Sequence, residues 1–299
     1  MKKTLFHIAC VLLSYHGLAQ QLHIVSQYDQ HRFLHNPAAA GTNGYSSVGI
    51  TYRSQWAGIS GGPRTAMAYG EKYFDKTRLG MGAFLYNDVT GPTERTGIQY
   101  AINYRIPLNA DGSRRIAFGM EVRGLQYRIN KDELLASIPG DPVLNGSDKL
   151  IKGDAGVGVL YTDGPLNIGG AISQLVQGEM RFADVLNTKE RAQLYRHYYL
   201  AADYTWTTDD ATRVIPSAQM VYLPASPVDV AAGIRVVHKN LIWWGMHHRF
   251  KQSWMFNVGY IHKNKFSIGY AYDLYKTPLS IFNGGSYAHE IMLRYDFKK

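Results

Sequence analysis

Cysteine is all but missing from this chain of 299 residues: the one copy, Cys10, falls inside a stretch that reads as a cleaved leader. A mature chain without thiols forms no disulfide, no thiolate metal site and no cysteine nucleophile. Long apolar runs are missing too. Nowhere after the leader do about 18 apolar residues follow one another, so no membrane-spanning helix is expected. Glycine (30) and proline (11) follow no collagen-like period, and a chain that is 45% hydrophobic and 13% aromatic is too apolar for disorder.

The leader reading rests on Lys2 and Lys3, an apolar stretch from Leu5 to Leu13 and the small-residue ending Gly17-Leu18-Ala19. Cleavage is expected after Ala19. A lipoprotein would use Cys10 as its acylated residue, but His7 stands where such an address wants leucine. Loss of Lys2 and Lys3 lowers the formal charge of +9 by two. The remaining basic residues are scattered rather than gathered in a patch, so no nucleic-acid partner is expected and anionic lipid accounts for them with fewer assumptions.

What is present is alternation. Ile98, Tyr100, Ile102, Tyr104 and Ile106 alternate with Gly97, Gln99, Ala101, Asn103 and Arg105. Side chains two apart in a strand share a face, so one face is greasy and the other polar or small. The pattern recurs at 228–236, 266–274 and 290–297. Reading strands wherever it holds gives about 14 of them: 45–54, 65–74, 78–88, 93–107, 113–130, 152–161, 165–173, 194–207, 212–222, 227–237, 240–250, 252–261, 265–275 and 287–297. Most approach the roughly 9 to 11 residues that a tilted strand needs to cross a bilayer.

The connections sort by parity. Short turns follow the even strands, whereas the long loops 55–64, 131–151, 174–193 and 276–286 follow odd ones. Long loops at one rim, tight turns at the other and an even strand number predict an all-β fold: a transmembrane antiparallel β-barrel of outer-membrane type. Tyr52, Tyr104, Trp206, Tyr222, Trp254 and Tyr260 suit its headgroup belts. Arg105, Glu121, Arg123, Asp203, Asp229, Arg235, Asp273, Glu290 and Arg294 must then face inward, because a basic group facing lipid near the midplane costs about 2 to 4 kcal/mol. On this reading Ile102→Asp blocks assembly while Ala101→Asp is tolerated. In strand 5 the greasy parity flips after Val122, which reads as a bulge at Gly124 or as an upper half that projects above the bilayer.

The chain therefore divides into a leader (1–19), an ordered non-strand segment (20–44) at the periplasmic rim or tucked into the lumen, and the barrel (45–299). Asn36-Pro37 and Gly41-Thr42-Asn43-Gly44 are turn formers, and a lumen of this width leaves room for such a segment as a plug. Arg53, Gln55 and Trp56 leave strand 1 at the outer rim, and Gly62-Pro63 shapes the return; they read as a docking or loop-fixing site, or as a well-ordered first hairpin.

Catalytic and metal patterns fail on context. Gly58-Ile59-Ser60-Gly61-Gly62 fits G-x-S-x-G, but a nucleophile elbow needs a strand before it and a helix after it. His247 and His248 fall on opposite faces of one strand, and His23, His31 and His35 read as surface residues. No catalytic residue, cofactor or metal ligand is expected.

Several segments resemble the PorP/SprF family: Gln27-Tyr28; Asn36-Pro37-Ala38-Ala39-Ala40-Gly41; Tyr52 to Gly58 followed by Gly62-Pro63-Arg64-Thr65; Gly80-Met81-Gly82 through Asp88, Gly91 and Pro92; and a C-terminal stretch with His289-Glu290. The resemblance implies a barrel of the Bacteroidota outer membrane with periplasmic termini, seated in outer-membrane lipid. It also implies partners among type IX secretion components and a secreted surface protein client, such as a gliding adhesin. The alternative from a different class is a passive diffusion porin. The final Tyr295-Asp296-Phe297 partly matches an outer-membrane insertion signal.

Overall fold

A computed structural model describes residues 25–131, 133–134, 149–180, 192–224, 226–276 and 287–298. The leader with Cys10, His23 and most of the loops 131–151, 174–193 and 276–286 lie outside the described residues. The barrel strands are β1 (Ser46–Gln55), β2 (Arg64–Phe74), β3 (Leu79–Thr90), β4 (Thr93–Pro107), β5 (Arg114–Ile129), β6 (Lys149–Asp163) and β7 (Leu166–Ser173), followed by β8 (His197–Tyr204, continued after a break at Thr205 by Trp206–Thr207). The rest are β9 (Thr212–Tyr222), β10 (Asp229–His238), β11 (Ile242–Arg249), β12 (Ser253–His262), β13 (Phe266–Tyr275) and β14 (Tyr287–Phe297).

Each strand pairs antiparallel with the next, and β14 returns to pair with β1 from Ser46↔Phe297 to Gln55↔Ala288. The result is a closed barrel of fourteen strands with no free edge. A two-residue ribbon, Glu179–Met180 against Ala192–Gln193, stands apart from it. The expected spans agree with the observed ones to within about three residues. Tight turns gather at one rim, several with the left-handed residues that short hairpins require: Lys239 and Asn240, Lys263 and Asn264, Gly112 and Gly164.

The faces follow the alternation. Val48, Ile50 and Tyr52 point out of β1 and are exposed, while Ser47, Thr51 and Arg53 between them are buried. On most strands apolar side chains likewise wrap the outside, while the inside mixes charged and polar residues with apolar ones such as Met67, Phe84, Trp243 and Met255. Among the described residues no helix is long and apolar enough to cross a membrane; the crossing is made by strands. Ile50, 54% exposed, stands at the middle of β1 on its apolar outer face. Ile50→Arg should therefore destabilise the folded barrel by about 2–4 kcal/mol, read as a lower urea midpoint in liposomes.

Two expectations are corrected here. Strand β5 has no bulge: Ile98↔Gly124 and Gly97↔Leu125 follow one another in unbroken register with β4, as do Arg123↔Asp154 and Gly124↔Gly153 with β6. The parity flips because Leu125 (4% exposed) and Tyr127 face inward into an apolar cluster with Val25, Leu150 and Leu194, while the outer positions Gln126 and Arg128 are polar. The upper end of this wall thus stands clear of the apolar girdle. Ala101 also faces inward, but it is fully buried in the cluster that holds Phe33 and Ala38. An aspartate there would be an unpaired charge in a packed interior, so Ala101→Asp is not tolerated.

Candidate functional site

The site is the lumen, and residues 25–44 occupy it. Three single-turn 3-10 helices, Tyr28–Gln30, Arg32–Leu34 and Pro37–Ala39, carry the chain from near the long-loop rim down to the start of β1. Asn36 caps the third: its Oδ1 accepts the Ala38 N–H at 2.9 Å, and Pro37 supplies the preset φ at the first helical position. Gly41 ends it with φ +68°, donating its N–H to Glu71 Oε2 at 2.7 Å.

This segment lies against a wall stripped of side chains. A Cβ on Gly119 would stand 2.3 Å from the Ala38 nitrogen, one on Gly158 2.1 Å from Asn36 Oδ1, and one on Gly80 2.3 Å from the Ala40 carbonyl oxygen. With alanines on one side and glycines on the other, backbone meets backbone. The plug's peptide groups are then satisfied by the wall: Asn103 Nδ2 donates to the Pro37 and Ala40 carbonyls at 3.1 and 2.8 Å, Arg105 Nη2 to Ala40 O at 2.8 Å, and Asn36 Nδ2 to Val159 O at 3.0 Å.

A second anchor sits higher. Arg53, 2% exposed, turns into the lumen rather than out over the rim. It faces Glu290 across the seam where β1 meets β14. Its guanidinium lies 2.6 Å from Asp273, 3.3 Å from Glu290 and 2.8 Å from the Tyr275 hydroxyl, and it also bonds the Ser26 hydroxyl. Glu290 in turn accepts the backbone N–H groups of Ser26 (2.7 Å) and Gln27 (3.2 Å). One buried cation between two buried carboxylates leaves a negative charge, which these plug N–H groups meet.

Between the anchors, Asp29 pairs with Arg235 at 2.5 Å and Arg32 with Asp203 at 2.9 Å. Burial alone would raise the Asp29 carboxyl, but the Arg235 and His247 charges outweigh it and hold the pKa below its ordinary value. His31, expected at the surface, is 1% exposed, edge-on to Tyr69 at 5.0 Å, because the 3-10 turn aims it at the wall. Burial first, then the Arg294 charge, lowers its pKa from 6.5 to about 3. The docked plug keeps His31 neutral while a released plug binds a proton below about 6.5. Docking should therefore weaken as pH falls from 6.5 toward 3, Asp29 adding to the loss as its pairing is protonated away. A pH series of thermal midpoints should show this slope, flattened in His31→Gln.

The other motif residues lie apart from the plug. Gln55, Trp56, Gly62 and Pro63 form the β1–β2 loop: the Gln55 N–H donates to Pro63 O at 2.8 Å, Trp56 takes φ +52°, and a Cβ on Gly62 would meet the Gln55 and Trp56 carbonyls. These bonds close the loop on itself. Gly91 N–H donates to Gly61 O at 2.9 Å, tying the next long-side hairpin to it, and Pro92 O accepts from Asn130 at 2.7 Å. Asp88 accepts from Thr65 Oγ1 at 2.6 Å and pairs with Arg95. His289 points outward, opposite to Glu290, with its Nδ1 2.6 Å from the Tyr270 hydroxyl. The G-x-S-x-G segment is a turn closed by Gly62 N–H to Ile59 O, followed by a strand. Among the described residues no cluster of His, Cys, Asp or Glu could hold a metal ion.

Sequence reasoning missed Ser26, Gln27, Asp29 and Tyr275 as plug contacts. The charged residues they meet, Arg53, Glu290 and Arg235, were legible as separate positions, but joining them to this segment needs the closed barrel.

Comparison with known proteins agrees with this architecture. The toluene transporter TbuX of Ralstonia pickettii superposes with a TM-score of 0.53 at 11% identity, over 89% of this chain and 93% of that one. Omp33 of Acinetobacter baumannii gives 0.51 at 8% identity over 85% and 98%, and a FadL homologue of Pseudomonas aeruginosa 0.50 at 11% identity over 88% and 93%. These likenesses show the fold, an outer-membrane barrel. No curated protein matches the chain. The family model of the type IX secretion system membrane protein PorP/SprF matches residues 17–295, nearly the whole chain, and this protein belongs to that family.

Proposed function

We propose that this barrel is a non-catalytic outer-membrane accessory of type IX secretion that assists the export or surface attachment of a protein client such as an adhesin. The observation that carries the reading is the occupied lumen: residues 25–44 are held by Arg53 and Glu290 at the β1–β14 seam, by Asn103 and Arg105 on β4, and by Asp203 and Arg235 across the lumen on β8 and β10. A pore for small solutes needs an open path, whereas a barrel that binds proteins through its rims does not. The Ralstonia relative is named for toluene transport, but 11% identity carries no substrate across. The partners on this reading are other type IX components and the secreted client, with outer-membrane lipid around the apolar girdle.

Two measurements test it. The purified barrel in a planar bilayer should show negligible single-channel conductance; stable ohmic steps would favour a diffusion porin. Affinity purification from gently solubilised outer membranes should bring down type IX components or a large surface protein, and their absence would count against the accessory role.

A further inference from the structure

At the short-turn rim, which in an outer-membrane barrel faces the periplasm, a cavity of about 910 Å³ opens between the foot of the plug and the ends of β2, β4 and β5. Its charged lining is Arg78, Arg105, Arg115 and Lys298 against a single carboxylate, Asp75. Lys298 is already paired with Asp296 at 3.3 Å. Arg78, Arg105 and Arg115 have no carboxylate partner among the described residues. Arg105 is the telling one. It is 4% exposed, its guanidinium lies 4.1 Å over the Tyr73 ring, and it reaches only neutral acceptors, Ala40 O and Asn103 Oδ1. Arg115 and Arg105 both face inward on adjacent strands, with Pro107↔Arg115 in register. A buried cation without a counter-ion is costly unless an anion reaches it.

We propose that this mouth is a docking site for an acidic peptide segment of a periplasmic protein, whose carboxylates meet Arg78, Arg115 and the inner Arg105. Three guanidinium forks spread over a turn and two strands match several carboxylates spaced along a chain better than one compact anion. The cavity is too large for a single phosphate group and has the size of pockets that take extended ligands. Lipid headgroups lie outside the wall, whereas this lining faces the lumen axis. The inference needs only the orientation of the barrel and does not rest on its handling a client.

The test uses the full mature barrel in detergent micelles and a fluorescein-labelled hexaglutamate peptide, followed by anisotropy at low salt. The double variant Arg78→Asn, Arg115→Gln removes two charges; asparagine suits the left-handed backbone of Arg78, φ +57°. Wild type should bind saturably and the double variant at least about tenfold more weakly. Arg64→Gln with Arg128→Gln, at the opposite rim, should bind like wild type. Arg78→Asn alone serves if the double variant does not fold, judged by its heat-modifiable gel mobility, and should show a smaller loss of the same sign. Absence of saturation, unchanged binding in the Arg78 variants, or full displacement by inorganic phosphate at the peptide's own concentration would overturn the proposal. Tighter uptake of phosphatidylglycerol vesicles than of peptide would overturn it too.

Discussion

Arg53→Ala should destabilise the barrel by about 3–5 kcal/mol, because it removes the one cation shared by Asp273 and Glu290 and leaves two carboxylates facing each other in a dry interior. The loss should appear in two readouts. Urea midpoints should fall, and hydrogen exchange at residues 25–30 should accelerate, since Glu290 would no longer be held to accept the Ser26 and Gln27 N–H groups. Glu290→Gln should release the same residues with a smaller drop in midpoint, as Arg53 keeps Asp273. If Arg53→Ala lowers the midpoint while exchange of the plug stays slow, the cluster fastens β1 to β14 but does not hold the plug.

Gly119→Ala and Gly158→Ala should loosen the plug from the other side. Each added methyl group falls well inside van der Waals contact with plug atoms: at Gly119 with the Ala38 nitrogen, backbone that cannot swing away, and at Gly158 with Asn36 Oδ1, whose amide is held by its bonds to the Ala38 N–H and Val159 O. Overpacking of this kind costs about 1–3 kcal/mol. The lowest-cost relief is for residues 36–40 to lift off the wall, breaking the Asn103 and Arg105 bonds to Ala40. Faster exchange across 33–41 and the first measurable conductance steps are the expected results. Gly153→Ala is the control: the nearest atom to its new methyl group is Arg123 O at 3.9 Å, so it should behave as wild type. Equal effects at all three positions would mean that strand propensity, not the plug, is being read.

The strands were legible because the bilayer imposes their pattern. Val48, Ile50 and Tyr52 must be greasy whatever the protein does, and the turns between strands carry their own chemistry in Lys239-Asn240 and Lys263-Asn264. The motif at 36–41 could be seen as a turn former, but not as a plug seat, since the glycines that receive it lie on β3, β5 and β6 and only closure brings them together. Arg53 and Glu290 were singled out separately; that they touch depends on a register spanning 237 residues of sequence. The misreadings have one source. Periodicity tells which face Leu125 and Ala101 take but not what fills the lumen beside them, and an interior packed with chain accepts apolar inward residues and buries His31.

The bond between the first and last strands imposes a timetable on biogenesis. Arg53 emerges from the ribosome long before Glu290 exists, so the ion pair that grips Ser26 can form only when the ring zips shut. Until that moment the amino-terminal segment lacks its upper tether. Closing the ring and fastening the top of its cork are thus one step.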